Sequence, residues 1–230
     1  MLCLSVALWA AGAGNAGQGG PGAQTWQGVI EWRTGPALST GKSTAESAAL
    51  IDGLSTSGAR HVVVHFDRPV GPALRSELDS AGVRLLSYLG DRAFFASIQP
   101  GQVDVAALAG VDALIDAQLI QRSWKLHPML ERGEVPAWTV VSPEPTDNPL
   151  VAVYVVFHRD VPLKAEAARV CLAHGAAIRS QVRTVNALVV ELPYAEIPAL
   201  ADEDAVQWIE PALPSLTATN DSNRVITQAD

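Results

Sequence analysis

The sequence predicts an α+β protein built from two tandem units, each in the order β-α-β-β-α-β. Three observations carry this expectation. Short runs alternate apolar and polar residues with period two, and stretches of helical spacing lie between them. The same succession of strand, helix and turn signals occurs twice. Its landmarks, Phe66 with Phe157 and Gly82 with Gly175, lie about 90 residues apart in both cases, longer than a solenoid period and suited to a duplicated small domain. That order specifies a ferredoxin-like unit: a four-stranded antiparallel sheet with two helices on one face and right-handed crossovers. The opposite sheet face is expected to be free, as a docking surface.

In the first unit, residues 60–120, His61–Phe66 is a β-branched run broken by Asp67, Arg68 and Pro69. Pro72–Ala81 follows as a helix with Leu74, Leu78 and Ala81 on one face, and Gly82 supplies its left-handed cap. Val83–Leu89 is a strand, Gly90-Asp91 a turn, and Phe94–Ile98 a strand with Phe94, Ala96 and Ile98 on one face. Gly101–Ala109 is a short helix with Val105 and Leu108 inward, and Val111–Ile120 closes the unit. In the second unit, residues 150–213, Val151–Phe157 is a strand, Leu163–His174 a helix capped by Gly175, and Ala176–Val182 a strand. Thr184–Asn186 turns into a strand with Leu188, Val190 and Leu192 on one face. Glu196–Ala201 is a helix, and Val206–Glu210 the last strand, where Trp208 alternates with Val206.

The flanking segments differ in character. Residues 1–16 have the apolar run Leu2–Ala13 followed by Gly14, Asn15 and Ala16, as in a cleaved export signal too short to span a bilayer. A secreted, periplasmic or cell-envelope location follows, with no stable membrane insertion once the signal is removed. Residues 17–59 are rich in Gly, Ser, Thr and Ala and are expected to be a leader that packs partly through Trp26, Ile30 and Trp32. Residues 121–149 hold five prolines with Trp124 and Trp138, which suits an ordered linker over one of the sheets, anchored by the two tryptophans. Residues 214–230 are polar and expected to be extended.

Chemistry is sparse. The net charge of −8 and the lack of any basic run argue against nucleic acid as a partner. Cys171 stands alone once Cys3 leaves with the signal, so it is expected to be a small buried apolar residue. His61 and His65 share a strand face, but no carboxylate or cysteine at ligand spacing completes a metal set. His158 and Asp160 suit a polar strand-end turn better than an acid–base pair. No serine lies in a Gly-x-Ser-x-Gly elbow, and the glycine-rich start neither follows a strand nor opens a helix. Arg183 and Asn186 share one turn rather than the loop and strand that an acylphosphatase-like phosphate site needs. No catalytic residue, cofactor or metal is expected.

Several stretches resemble a known family. Val62–Phe66, Ala93–Ile98, Val153–Phe157 and Asn186–Leu192 match the strands of the prodomains of secreted subtilisin-like serine proteases, and Val206-Gln207-Trp208-Ile209-Glu210-Pro211 is similar to their Val-x-x-Ile-Glu-Pro ending. Trp124–Pro128 resembles segments between tandem prodomain units. The protease motifs themselves, around Asp, His-Gly and Gly-Thr-Ser, are absent from the chain. The resemblance implies an intramolecular chaperone and temporary inhibitor whose partner is a subtilisin-like protease domain, in cis or in trans. It implies docking by the second unit, with Glu210 facing a helix N-terminus of the protease and with Thr217, Thr219 and Asn220 of the tail entering its cleft as an added strand. The alternative is a stand-alone secreted inhibitor or a tandem ferredoxin-like protein-binding module.

Overall fold

The computed structural model describes residues 29–142 and 146–213. The β-branched run predicted to open the first unit becomes its central strand, β3 (His61–Phe66). The first unit contains the hairpin β1 (Val29–Trp32) and β2 (Gly35–Leu38), then α1 (Thr44–Ser57), β3, α2 (Pro72–Ser80), β4 (Val83–Tyr88), β5 (Ala93–Ile98), α3 (Val105–Ala109) and β6 (Leu114–Gln118). A linker carrying the short helix α4 (Pro128–Glu131) leads to β7 (Leu150–Phe157), α5 (Ala168–Ala173), β8 (Ala177–Val182), β9 (Ala187–Pro193), α6 (Ile197–Asp202) and β10 (Val206–Pro211). The two main sheets are antiparallel, with strand orders β4-β5-β3-β6 and β10-β7-β9-β8. Numbered within each unit, both orders are the same, with the last strand beside the first.

Each unit buries one sheet face under its helices. Val62, Val64 and Phe66 of β3 and Phe94, Ala96 and Ile98 of β5 meet Ile51, Leu78 and Leu108. Val151, Val153, Val155 and Phe157 of β7 and Leu188, Val190 and Leu192 of β9 meet Val170, Ile197 and Leu200. Period-two alternation therefore selects the core face in both units, as the sequence predicts. Gly82 and Gly175 both follow their helices at positive φ, +83° and +68°.

The segment expected to be a leader is different. From Val29 onward it belongs to the first unit. Ser43 caps α1 reciprocally with Glu46, and Gly58 ends the helix in the left-handed conformation. Ala48 and Ile51 then pack into the core beside α3 and β6. The hairpin covers the other sheet face, where Ile30 and Trp32 are buried with Val63, Ala93 and Phe95. The expectation of a free second face is thus corrected for the first unit. Low helical amphipathicity hid α1: only one narrow stripe of small and branched residues is buried. Other boundaries shift modestly. The third helix begins at Val105, after an Asp104 cap, rather than at Gly101, and the helix expected from Leu163 opens with a wide turn over Leu163–Ala167 before α5. The proposed signal segment 1–16, Trp26 and the tail 214–230 lie outside the described residues.

In the described part of the linker, residues 121–142, one of the two tryptophans packs as an anchor. Trp124 stacks on Trp32 at 4.4 Å between ring centroids, whereas Trp138 is 54% exposed. Leu126 bridges to Ile209, and Leu130 joins the second core.

A buried carboxylate ties the N-terminal segment to β6. Asp116 accepts from Ser39 Oγ at 2.8 Å, Thr40 N at 2.7 Å, Thr40 Oγ1 at 2.8 Å, Lys42 Nζ at 2.9 Å and Gln118 Nε2 at 2.6 Å. Burial alone would raise its pKa, but Lys42 and the neutral donors hold it below the ordinary carboxylate value. Asp116→Ala strands the buried Ser39 and Gln118 groups and is expected to lower unfolding stability by about 2 kcal/mol, measured by urea denaturation.

Candidate functional site

The polar chemistry of the molecule concentrates where the two units meet. β3 carries His61 on the face away from its helices, fully buried. The second unit brings two carboxylates to it: Asp160, just after β7, and Asp204, just before β10. His61 Nδ1 lies 2.6 Å from Asp204 and Nε2 lies 3.0 Å from Asp160. Both ring nitrogens face acceptors, so the arrangement is fully satisfied only by the imidazolium. Burial opposes that charge, but the two carboxylates outweigh it and raise the His61 pKa above its ordinary value. Asp204 also accepts the backbone N–H groups of Arg60 and His61 at 3.1 Å each, and Arg60 pairs with Glu166 at 2.6 Å. Both aspartates, which burial would push up, are held below their ordinary values by hydrogen bonds from His61.

His158 completes the seam. Its ring stacks on His61 at 4.0 Å with an interplanar angle of 12°, and meets the edge of Phe95 at 5.0 Å. It is fully buried, and neither ring nitrogen has a hydrogen-bond partner among the described residues. Burial first, then the charges of His61 and Lys125, push its pKa well down. The ring with the depressed pKa lies flat on the ring held by two carboxylates, an arrangement that favours a single positive charge on the pair. Lys125 is itself buried, with Nζ donating to the Glu203 carbonyl at 2.8 Å. The chemistry of this centre is that of a charged clamp. A histidine held on both nitrogens by carboxylates has no free lone pair to take a proton from a nucleophile, and no hydroxyl or thiol is bonded to it among the described residues.

The sequence-predicted residues fall in several places. His61 and His65 share a face but serve different partners, since His65 Nε2 lies 2.5 Å from the Asp91 carbonyl. No His, Cys, Asp and Glu cluster suited to a metal ion occurs among the described residues. Asp160 pairs with His61 rather than with His158. Cys171 is buried, and burial pushes its thiol up to about 12. Glu210, near the end of β10, accepts from Trp208 Nε1 at 2.7 Å and lies 3.7 Å from Arg33. Thr217, Thr219 and Asn220 lie outside the described residues. Sequence reasoning missed Asp204 and Lys125. Asp204 sits in Ala-Asp-Glu-Asp, which reads as a solvated acidic run, and its partner is 143 residues away.

Beside the seam lies an open cleft of about 850 Å³ between the β1–β2 hairpin, the β4–β5 turn and the 183–186 turn. Phe95, which touches His158, also forms part of its wall. Residues 27–120 match the family described as Domain of unknown function (DUF8729), a span that takes in the hairpin, α1 and the whole first sheet but less than half of the chain. No curated protein and no solved structure matches the chain.

Proposed function

We propose that this chain is the two-unit pro-region of a secreted subtilisin-like serine protease, a folding template and temporary inhibitor of the protease domain in cis or in trans. One observation carries the reading. The strand order of the second sheet sets β10 at its edge, and a tail following an edge strand is suited to adding a strand in a protease cleft. The repeated strand order supports a tandem ferredoxin-like arrangement, the architecture of such prodomains.

The docking surface would be the second unit's face away from its helices. Tyr154, Val189 and Glu191 are half-buried there, beside a patch of the same face where Val156, Ala187 and Trp208 are buried and Arg33 lies over Trp208; the hairpin covers the corresponding face of the first unit. Glu210 is 38% exposed at the rim and can reach a helix N-terminus on the partner. The docked unit would hold the tail, with Thr217, Thr219 and Asn220, near the cleft at high effective concentration. No helix among the described residues is long and apolar enough to cross a membrane. The purified chain is expected to inhibit a secreted subtilisin in trans. Truncation after Leu213 is expected to abolish inhibition while leaving the unfolding midpoint unchanged. Absence of inhibition by the full chain would overturn the reading; inhibition that survives truncation would overturn the role of the tail.

A further inference from the structure

The cleft beside the seam is basic, in a chain whose net charge is −8. Arg33, Arg159 and Arg183 line it against one carboxylate, Glu31. Several arginines among the described residues are ion-paired: Arg60 with Glu166, Arg122 with Asp202, Arg132 with Glu134 and Arg179 with Glu191. Arg159 and Arg183 have no ion-pair or hydrogen-bond partner among the described residues, and both lie in this cleft. Arg33 is only loosely held, 3.7 Å from Glu210 and with its guanidinium 5.3 Å above the Trp208 ring.

The two free guanidiniums spring from a braced junction. Arg183 opens the tight turn that ends at Asn186, whose φ of +52° reverses the chain into β9. The Asn186 amide donates to the His158 carbonyl at 2.7 Å and to the Val161 carbonyl at 3.1 Å. Its own carbonyl accepts from Phe157 N at 2.9 Å. The turn bearing Arg183 and the strand end bearing Arg159 are therefore locked together. Tyr88, Phe95 and Val185 add apolar surface to the same cleft.

We propose that this cleft binds a small organic anion, with a carboxylate or phosphate group on an apolar or aromatic body. Guanidinium groups match both oxyanions with paired, charge-assisted hydrogen bonds. The volume lies within the range of small-molecule sites, and the apolar wall suits the body of the ligand. The inference does not depend on the protease reading.

The full chain would be titrated by calorimetry with phenyl phosphate, benzoate and inorganic phosphate. Saturable binding of phenyl phosphate or benzoate, tighter than that of inorganic phosphate, is expected; the tighter of the two identifies the preferred oxyanion. Arg159→Gln and Arg183→Gln are each expected to weaken it about tenfold, the effect of losing one charge-assisted bond. Both side chains are exposed, so the unfolding midpoint should stay unchanged. Arg169→Gln, on the exposed face of α5, removes the same charge away from the cleft and is expected to leave affinity unchanged. An equal loss in Arg169→Gln, no preference over inorganic phosphate, or no saturable binding of either organic anion would overturn the proposal.

Discussion

Replacing His61 by alanine is expected to destabilise the folded chain by about 3 kcal/mol, the low end for breaking a buried ion pair, because it leaves two carboxylates facing one another without their shared cation. The low end applies because the Asp160 and Asp204 side chains remain 21% and 36% exposed and retain some solvent screening. The pH dependence distinguishes the clamp from simple packing. The folded pKa of His61 lies above its ordinary value of 6.5, so the stability it contributes is complete below that value and is lost as pH rises through the folded pKa. His158 and His65 behave oppositely. Their folded values are depressed, so the unfolded chain takes up protons first and stability falls as pH drops below 6.5. Together these groups place a stability maximum near pH 6.5, with a decline on both sides of at most about 1.4 kcal/mol per pH unit for each titrating group. Below their ordinary value of 3.8, protonation of Asp160 and Asp204 removes the clamp from the other side. Urea unfolding between about pH 5 and pH 8, below the range in which the unfolded Cys171 thiol ionises, measures the curve. The alkaline decline is expected to vanish in His61→Ala. Its persistence in that variant would show that another group titrates.

The second large effect is at Gly82. Substitution by alanine is expected to cost about 4 kcal/mol, combining the left-handed backbone penalty with overpacking. A Cβ there would stand 2.5 Å from the Gln102 carbonyl oxygen and 3.0 Å from its carbon, both backbone atoms that cannot swing aside. The loop after β5 is pinned over this position: Gln99 N donates to the Gly82 carbonyl at 3.2 Å, and Asp104 N to the Ala81 carbonyl at 3.1 Å. Gly175 holds the equivalent place in the second unit at a similar φ, but a Cβ there meets nothing within 4 Å. Gly175→Ala should therefore cost only about 1 kcal/mol. Thermal unfolding of the two variants side by side separates backbone conformation from close approach. Equal losses would show that the Gln102 contact relaxes away.

Much of the strand framework was legible in the sequence because its signals are local. Alternation in His61–Phe66 and Val151–Phe157 is a period-two pattern that any pairing partner must respect, so the core faces followed. The glycines after two helices announced left-handed caps without reference to distant residues. α1 was not legible for the converse reason. Its Gly, Ser, Thr and Ala content is weakly patterned, and its stability comes from a capping box and from packing against α3 and β6. Trp208 shows a third case. Strict alternation with Val206 would put the two on one face, but a bulge between them turns Trp208 to the opposite face, beside Val156 and Ala187.

The candidate site was the least legible part. His61, Asp160 and His158 were each visible as residue types, yet nothing in their spacing related them to one another or to Asp204. The sequence by itself determined the duplicated strand order, the inward faces and the turns, because these depend on neighbours within a few positions. The tertiary structure alone decided that a hairpin closes the first sheet's second face, that one histidine joins two carboxylates across the seam, and that two unpaired arginines share a cleft. Those outcomes depend on which surfaces of the two units meet, and charges brought together across more than a hundred residues leave no periodic trace in the chain.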